Sequence, residues 1–198
     1  MNMLRNFTIR FVMLAILGIF CLMWAGVGLY STWSLSRVSD GNDVDRQLVK
    51  QMTVLSQGND QYFRFVTRLS RAMEVKAAGG TPDLASAQQA LDNMGKKLAE
   101  MKAISPGPMD EQISARVIGT WQALLEQGVT PQMQQAKQGA LDGYRQQANS
   151  VTPPLSRAFG AAAEEFNNAA AKSLDSTRVV VDGLTSMTRT VIIIATII

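Results

Sequence analysis

Residues 48–73 read LVKQMTVLSQGNDQYFRFVTRLSRAM. Leu48, Met52, Leu55, Asn59, Tyr62, Val66, Leu69 and Met73 recur at alternating intervals of four and three. That spacing keeps one face of a helix turned toward a neighbour and is the signature of left-handed helix packing. The stretch predicts a long helix with a seam, carried to about Ala78 and ended by Gly79-Gly80.

Downstream the punctuation repeats. Thr81-Pro82-Asp83 offers an N-cap, a proline at the first helical position and an acid near the positive dipole end. Leu84, Ala87, Leu91, Met94, Leu98 and Met101 then give a second heptad stripe. Ser105-Pro-Gly-Pro108 is a turn, and Met109-Asp110-Glu111 opens a third helix striped by Ile113, Val117, Trp121 and Leu124. Between Gly128 and Val151, Gly128, Pro131, Gly139 and Gly143 interrupt the pattern and predict a kinked or broken helix ending in a loop. Thr152-Pro153-Pro154 starts a last helix with Leu155, Phe159, Ala162, Phe166 and Ala169 along one face. No proline follows, so about 45 residues would make a rod of roughly 65–70 Å. The expected fold is all-α: an antiparallel four-helix bundle whose first and last helices extend into a membrane.

The ends supply the membrane. Arg5 and Arg10 precede 26 uncharged residues, Phe11 to Ser36, longer than the roughly 20 needed to span a bilayer. Trp24, Tyr30 and Trp33 fall in its outer half, where aromatic rings favour the interface. The run also exceeds the roughly 7–15 apolar residues of a signal-peptide core. The basic start puts residues 1–10 in the cytoplasm, 11–33 in the first transmembrane helix and 34–188 in a periplasmic sensing domain. Residues 189–198, with Val191 to Ile198 all but wholly apolar, are expected to begin a second, truncated span, with Arg189 at its outer edge.

Composition narrows the chemistry. There is no histidine, which removes the commonest general base and metal ligand. The single cysteine, Cys21, lies in the first apolar run, so packing alone must stabilise the domain. Net charge is +3 without a basic block, so no nucleic-acid partner is expected. No phosphate-cradling loop or nucleophile elbow appears. The chain is expected to be no enzyme and to need no cofactor or metal.

Binding candidates gather on the first helix. Arg64, Arg68 and Arg71, spaced four and three apart, share a helical face opposite the seam. They form either a solvated charged face or a cationic surface for a carboxylate, with Asp60 and Glu74 close enough to quench part of the charge. Thr152 satisfies a backbone N–H as an N-cap, at a helix end that also favours an anion.

In order and spacing these features resemble the periplasmic sensing half of a bacterial methyl-accepting chemotaxis protein of the aspartate- and serine-receptor type. The resemblance runs through the basic start, the apolar run, Phe65-Val-Thr-Arg-Leu-Ser-Arg71, Ser105-Pro-Gly-Pro108, Gly139-Ala-Leu-Asp-Gly-Tyr144 and Val151-Thr-Pro-Pro-Leu-Ser-Arg-Ala-Phe159. It implies a homodimer that binds a small organic acid or amino acid between the two first helices. Ser70 and Thr152 match family pocket positions, and Arg64, Arg68 and Arg71 supply the cations. It also implies signalling by a small axial slide of the last helix, toward a chemotaxis kinase complex reached only through a C-terminal region missing here. The family's amino-acid receptors space their arginines i, i+5, i+9, whereas this chain has i, i+4, i+7. That departure points away from aspartate and serine, toward another organic acid, an aromatic acid or a docked periplasmic binding protein. Two other classes share the layout: the input module of a sensor kinase or cyclase, and a structural bundle without a ligand.

Overall fold

The computed structural model describes the backbone of residues 2–197 and the side chains of residues 11, 13–37, 39–176, 179, 183 and 186. Arg5, Arg10 and Arg189 lie outside the described side chains. The fold is all-α, a four-helix bundle. Helix α1 runs Asn2–Ala77, α2 Ala85–Ile104 and α3 Glu111–Ala123. A π-helical turn, Leu124–Val129, carries α3 into α4, Thr130–Lys137. After a break at Gly139 come α5, Leu141–Gln146, a second π turn, Gln147–Val151, and α6, Thr152–Ile197.

The chain divides into two compact units, residues 1–43 with 175–198, and residues 44–174. In the first, α1 carries an apolar window of mean hydropathy 2.1 with none of it buried, long and apolar enough to cross a membrane. Phe11, Leu22, Trp24 and Leu29 are exposed there. At its end the Arg37 guanidinium lies 5.4 Å from the Trp33 ring centre, and Tyr30 and Trp33 rings are 6.1 Å apart.

The second unit is the bundle. The predicted stripes of α2 and α3 are its core: Ala87, Leu91, Met94, Leu98, Met101, Val117, Trp121 and Leu124 are buried. On α6, Phe159, Ala162 and Phe166 are buried as the period predicts, but Leu155 and Ala169 are only half-buried, and Ala170 in place of Ala169 completes the row. On α1 the seam needs correction. Leu48, Leu55, Tyr62, Leu69 and Met73 are buried, but Met52, Asn59 and Val66 are only half-buried. The second core column is Gln51, Gly58, Phe65 and Ala72. A bundle helix faces two neighbours, so its buried stripe is wider than a coiled-coil seam and shifted round the helix. Gln51, fully buried, donates from Nε2 to the carbonyls of Ile104 and Pro106, both at 2.9 Å, tying α1 to the α2–α3 turn.

Two helix starts also differ from expectation. Asp83, not Thr81, caps α2 by accepting from the Ala85 N–H at 2.9 Å. Asp110 caps α3 as the sequence indicates, accepting from Gln112 and Ile113 N–H at 2.8 and 3.1 Å. Gly107 occupies the turn between them at φ +54, a conformation that side-chained residues rarely adopt.

Gly58 faces the indole of Trp121, and a Cβ there would overlap the six-membered ring. Gly58→Ala is therefore expected to destabilise the bundle by about 1–3 kcal/mol, the usual cost of overpacking. Urea unfolding followed by tryptophan fluorescence measures it, and an unchanged midpoint would show that Trp121 can move aside.

Candidate functional site

The segment from Leu124 to Thr152 builds a concave feature whose lining the sequence reveals only in part. An α-helix with one extra residue accommodated in a turn forms i→i−5 bonds and widens locally. Here Thr130 N–H reaches Leu125 O, and Thr152 N–H reaches Gln147 O. The two widened turns are joined: Gln147 Nε2 donates to the carbonyls of Gln127 and Gly128 at 2.6 and 3.1 Å. Gly128 is buried, with Leu124, Leu155 and Thr152 side chains around the place a Cβ would occupy. The missing side chain lets this turn lie close against α6.

This arrangement corrects the expected role of Thr152. The residue has helical φ −66 and ψ −39, and helix continues on both sides of it. It is not an N-cap, and no free helix end presents N–H groups to an anion. Pro153 and Pro154 are tolerated because the π turn before them re-pairs the backbone. The Thr152 side chain is 97% buried instead, and its hydroxyl donates to Gln132 Oε1 at 3.3 Å.

Between this segment and α1 lies a groove of about 420 Å³, open on one side. Tyr62, Val66, Tyr144, Ala148 and Pro153 give it apolar and aromatic walls. Ser70, Gln132, Asn149, Thr152 and Ser156 add neutral polar groups, and Arg157 adds the one charge of its lining. Small-molecule sites likewise combine apolar and aromatic walls with convergent polar groups, and here the polar groups make up about half of the lining. Sequence reasoning thus placed Ser70 and Thr152 on the groove. It missed Tyr62 and Tyr144 as walls and Arg157 as a lining cation. The heptad offset of Arg157 from Phe159 and the two tyrosines, one on α1 and one before the last helix, were the available signals.

The α1 arginines are disposed differently. Arg64 donates from Nε to Asp60 at 2.7 Å in a half-exposed pair, a kind worth about 0–1 kcal/mol. Arg68 spends its NH1 group on the Ser86 carbonyl at 3.0 Å, bridging α1 to α2. Arg71 is exposed. None of the three lines the groove. Among the described residues no group of three acidic, cysteine or histidine side chains converges as a metal site would require.

Beside the groove, α1 carries a second stripe. Val49, Met52, Ser56, Asn59, Phe63, Val66 and Ser70 recur at three and four. Val49 is 51% and Phe63 58% exposed, although both are large and apolar.

Comparison with known proteins bears on the family and the fold. The model of the family "Tar ligand binding domain homologue" (TarH) matches residues 3–174. A 2.0 Å crystal structure of the N-terminal ligand-binding domain of a methyl-accepting chemotaxis protein from Salmonella enterica is similar, with 66% identity and a TM-score of 0.66. The match covers 67% of this chain and 98% of that one. No curated protein gives a significant match.

The buried Thr152–Gln132 pair makes a local prediction. Thr152→Val keeps the shape, removes the donor and leaves the amide oxygen unpaired, at an expected cost of about 1–3 kcal/mol. Thermal and urea unfolding of the variant check this. Stability equal to wild type would mean that the 3.3 Å bond contributes nothing.

Proposed function

Because the chain belongs to the Tar ligand binding domain homologue family, the sensing domains of methyl-accepting chemotaxis proteins, we propose that it binds a small carboxylate-bearing ligand at a homodimer interface and signals by a small shift of α6. That family senses; it is not an enzyme family. The observation that carries the proposal is the groove on α1, flanked by an exposed apolar stripe of the same helix. A second copy laid along Val49, Met52, Phe63 and Val66 would bury that stripe and close the open side of the groove.

Within this reading Ser70 and Thr152 touch or shape the ligand from one protomer. Arg64, Arg68 and Arg71 belong to the site as cations that a second copy brings near its mouth, where positive potential draws an anion in. Residues 1–10 are cytoplasmic, 11–33 cross the bacterial inner membrane, 34–188 are periplasmic and 189–198 enter the second span. The Arg37–Trp33 stack supports a membrane boundary near residue 33, since aromatic rings and snorkelling cations mark that depth. Ligand acts by its differential affinity for two positions of α6, which is helical from Thr152 to Ile197. In this reading the downstream partner is a chemotaxis kinase complex.

Two measurements test this. Sedimentation of the chain in nanodiscs is expected to show a dimer, and Phe63→Asp to shift it toward monomer by placing a charge in the stripe. A monomeric wild type at micromolar concentration would count against the interface. Calorimetry against amino acids and organic acids is expected to give a ligand whose binding weakens in Ser70→Ala, Thr152→Ala and the Arg64, Arg68 and Arg71 alanine variants. Indifference to all five would move the pocket elsewhere.

A further inference from the structure

We infer that Arg157 of α6 holds the ligand's carboxylate directly, and that the ligand is a monoanionic organic acid with an aromatic or apolar body, not a zwitterionic amino acid. The inference rests on the proposed ligand groove and assigns its chemistry.

The positive charge of the lining is carried by Arg157 alone. Its side chain is exposed and makes no ion pair or hydrogen bond with any described residue. Arg64 and Arg68, by contrast, are already engaged with Asp60 and the Ser86 carbonyl. A guanidinium without a partner at the edge of a groove is matched to a planar carboxylate, which it can hold through two parallel hydrogen bonds.

Among the described residues the lining also lacks any carboxylate. An α-amino acid brings an ammonium as well as a carboxylate. Here the ammonium would have to exchange water for neutral oxygens only, and a charge desolvated without a counter-charge is disfavoured. A monoanion avoids that cost. Its body would meet Tyr62, Val66 and Tyr144, which suit a flat apolar group. Gln132 adds specificity: the Thr152 hydroxyl engages its Oε1, leaving the amide nitrogen as a donor for the second carboxylate oxygen or a ring substituent.

Three compounds of one skeleton isolate these terms: 3-phenylpropanoate, L-phenylalanine, which adds the ammonium, and 3-phenylpropanamide, which removes the charge. Calorimetry uses the whole chain in nanodiscs, with L-aspartate and L-serine as further probes. The acid is expected to bind at least about tenfold more tightly than the other two compounds. Arg157→Ala should weaken it by about tenfold to a hundredfold, the loss of a charge-assisted pair. Arg157→Lys should recover part of that loss, and Lys172→Ala, an exposed α6 cation outside the groove lining, should change it little. Because Arg157 is exposed, the variants are expected to melt as wild type does, and circular dichroism checks this. Tight binding of an amino acid with none of the acid would overturn the inference and leave the sensor proposal standing. So would binding of the acid that Arg157→Ala does not alter. Failure of every probe on a folded dimer would overturn the inference and also remove the groove's support as the ligand site.

Discussion

The bundle depends on one steric fit, Trp121 of α3 against the bare backbone of α1 at Gly58. The indole is fully buried and lies 5.4 Å, ring centre to ring centre, from Phe159 of α6. Three helices therefore meet at a single side chain. With no disulfide available, this contact and the surrounding Leu, Met and Phe side chains must fix the helix spacing by shape. Phe65, Leu124 and Phe166, all fully buried, extend the same packing. The fit also sets where Tyr62 stands one helical turn along α1 from Gly58, and hence one wall of the groove.

Much of the fold could be read from periodicity because most core positions are apolar and regularly spaced. The stripes of α2 and α6 carry through with little change. The α1 column was misplaced by one residue because two of its true core positions, Gln51 and Gly58, are not hydrophobic. Gln51 is buried because its amide pairs with two turn carbonyls, and Gly58 because an indole needs the space. Neither reason is local to α1. Each depends on a residue 50 or more positions away, which no hydrophobic period can encode.

The site was legible to a lesser degree. Ser70 and Thr152, proposed through family resemblance, line the groove, yet the physical argument for Thr152 assumed a helix start that does not exist. Threonine followed by two prolines is a strong local signal for an N-terminus. Tertiary packing overrides it, since the Gln147 amide braces both widened turns and lets helix continue through the prolines. The three arginines were singled out for their number and spacing. Arg157 was passed over because a lone arginine on a helix carries no pattern, and only its place beside a groove makes it conspicuous.

The π turns have a consequence for how such a domain diversifies. Each behaves as a one-residue insertion absorbed without breaking the helix. Deleting a residue from Gln147–Val151 would return the turn to α geometry and leave the helix on either side in phase, because the extra residue is what the wide turn absorbs. Tyr144, Phe159 and Phe166 would keep their phase, while residues of the turn itself, Ala148 and Asn149 of the groove wall among them, would be reset. Length changes in this short stretch therefore reshape the pocket while the scaffold stays the same. Gain or loss of a single residue is thus a way to change this groove that comparisons tracking substitutions alone do not register.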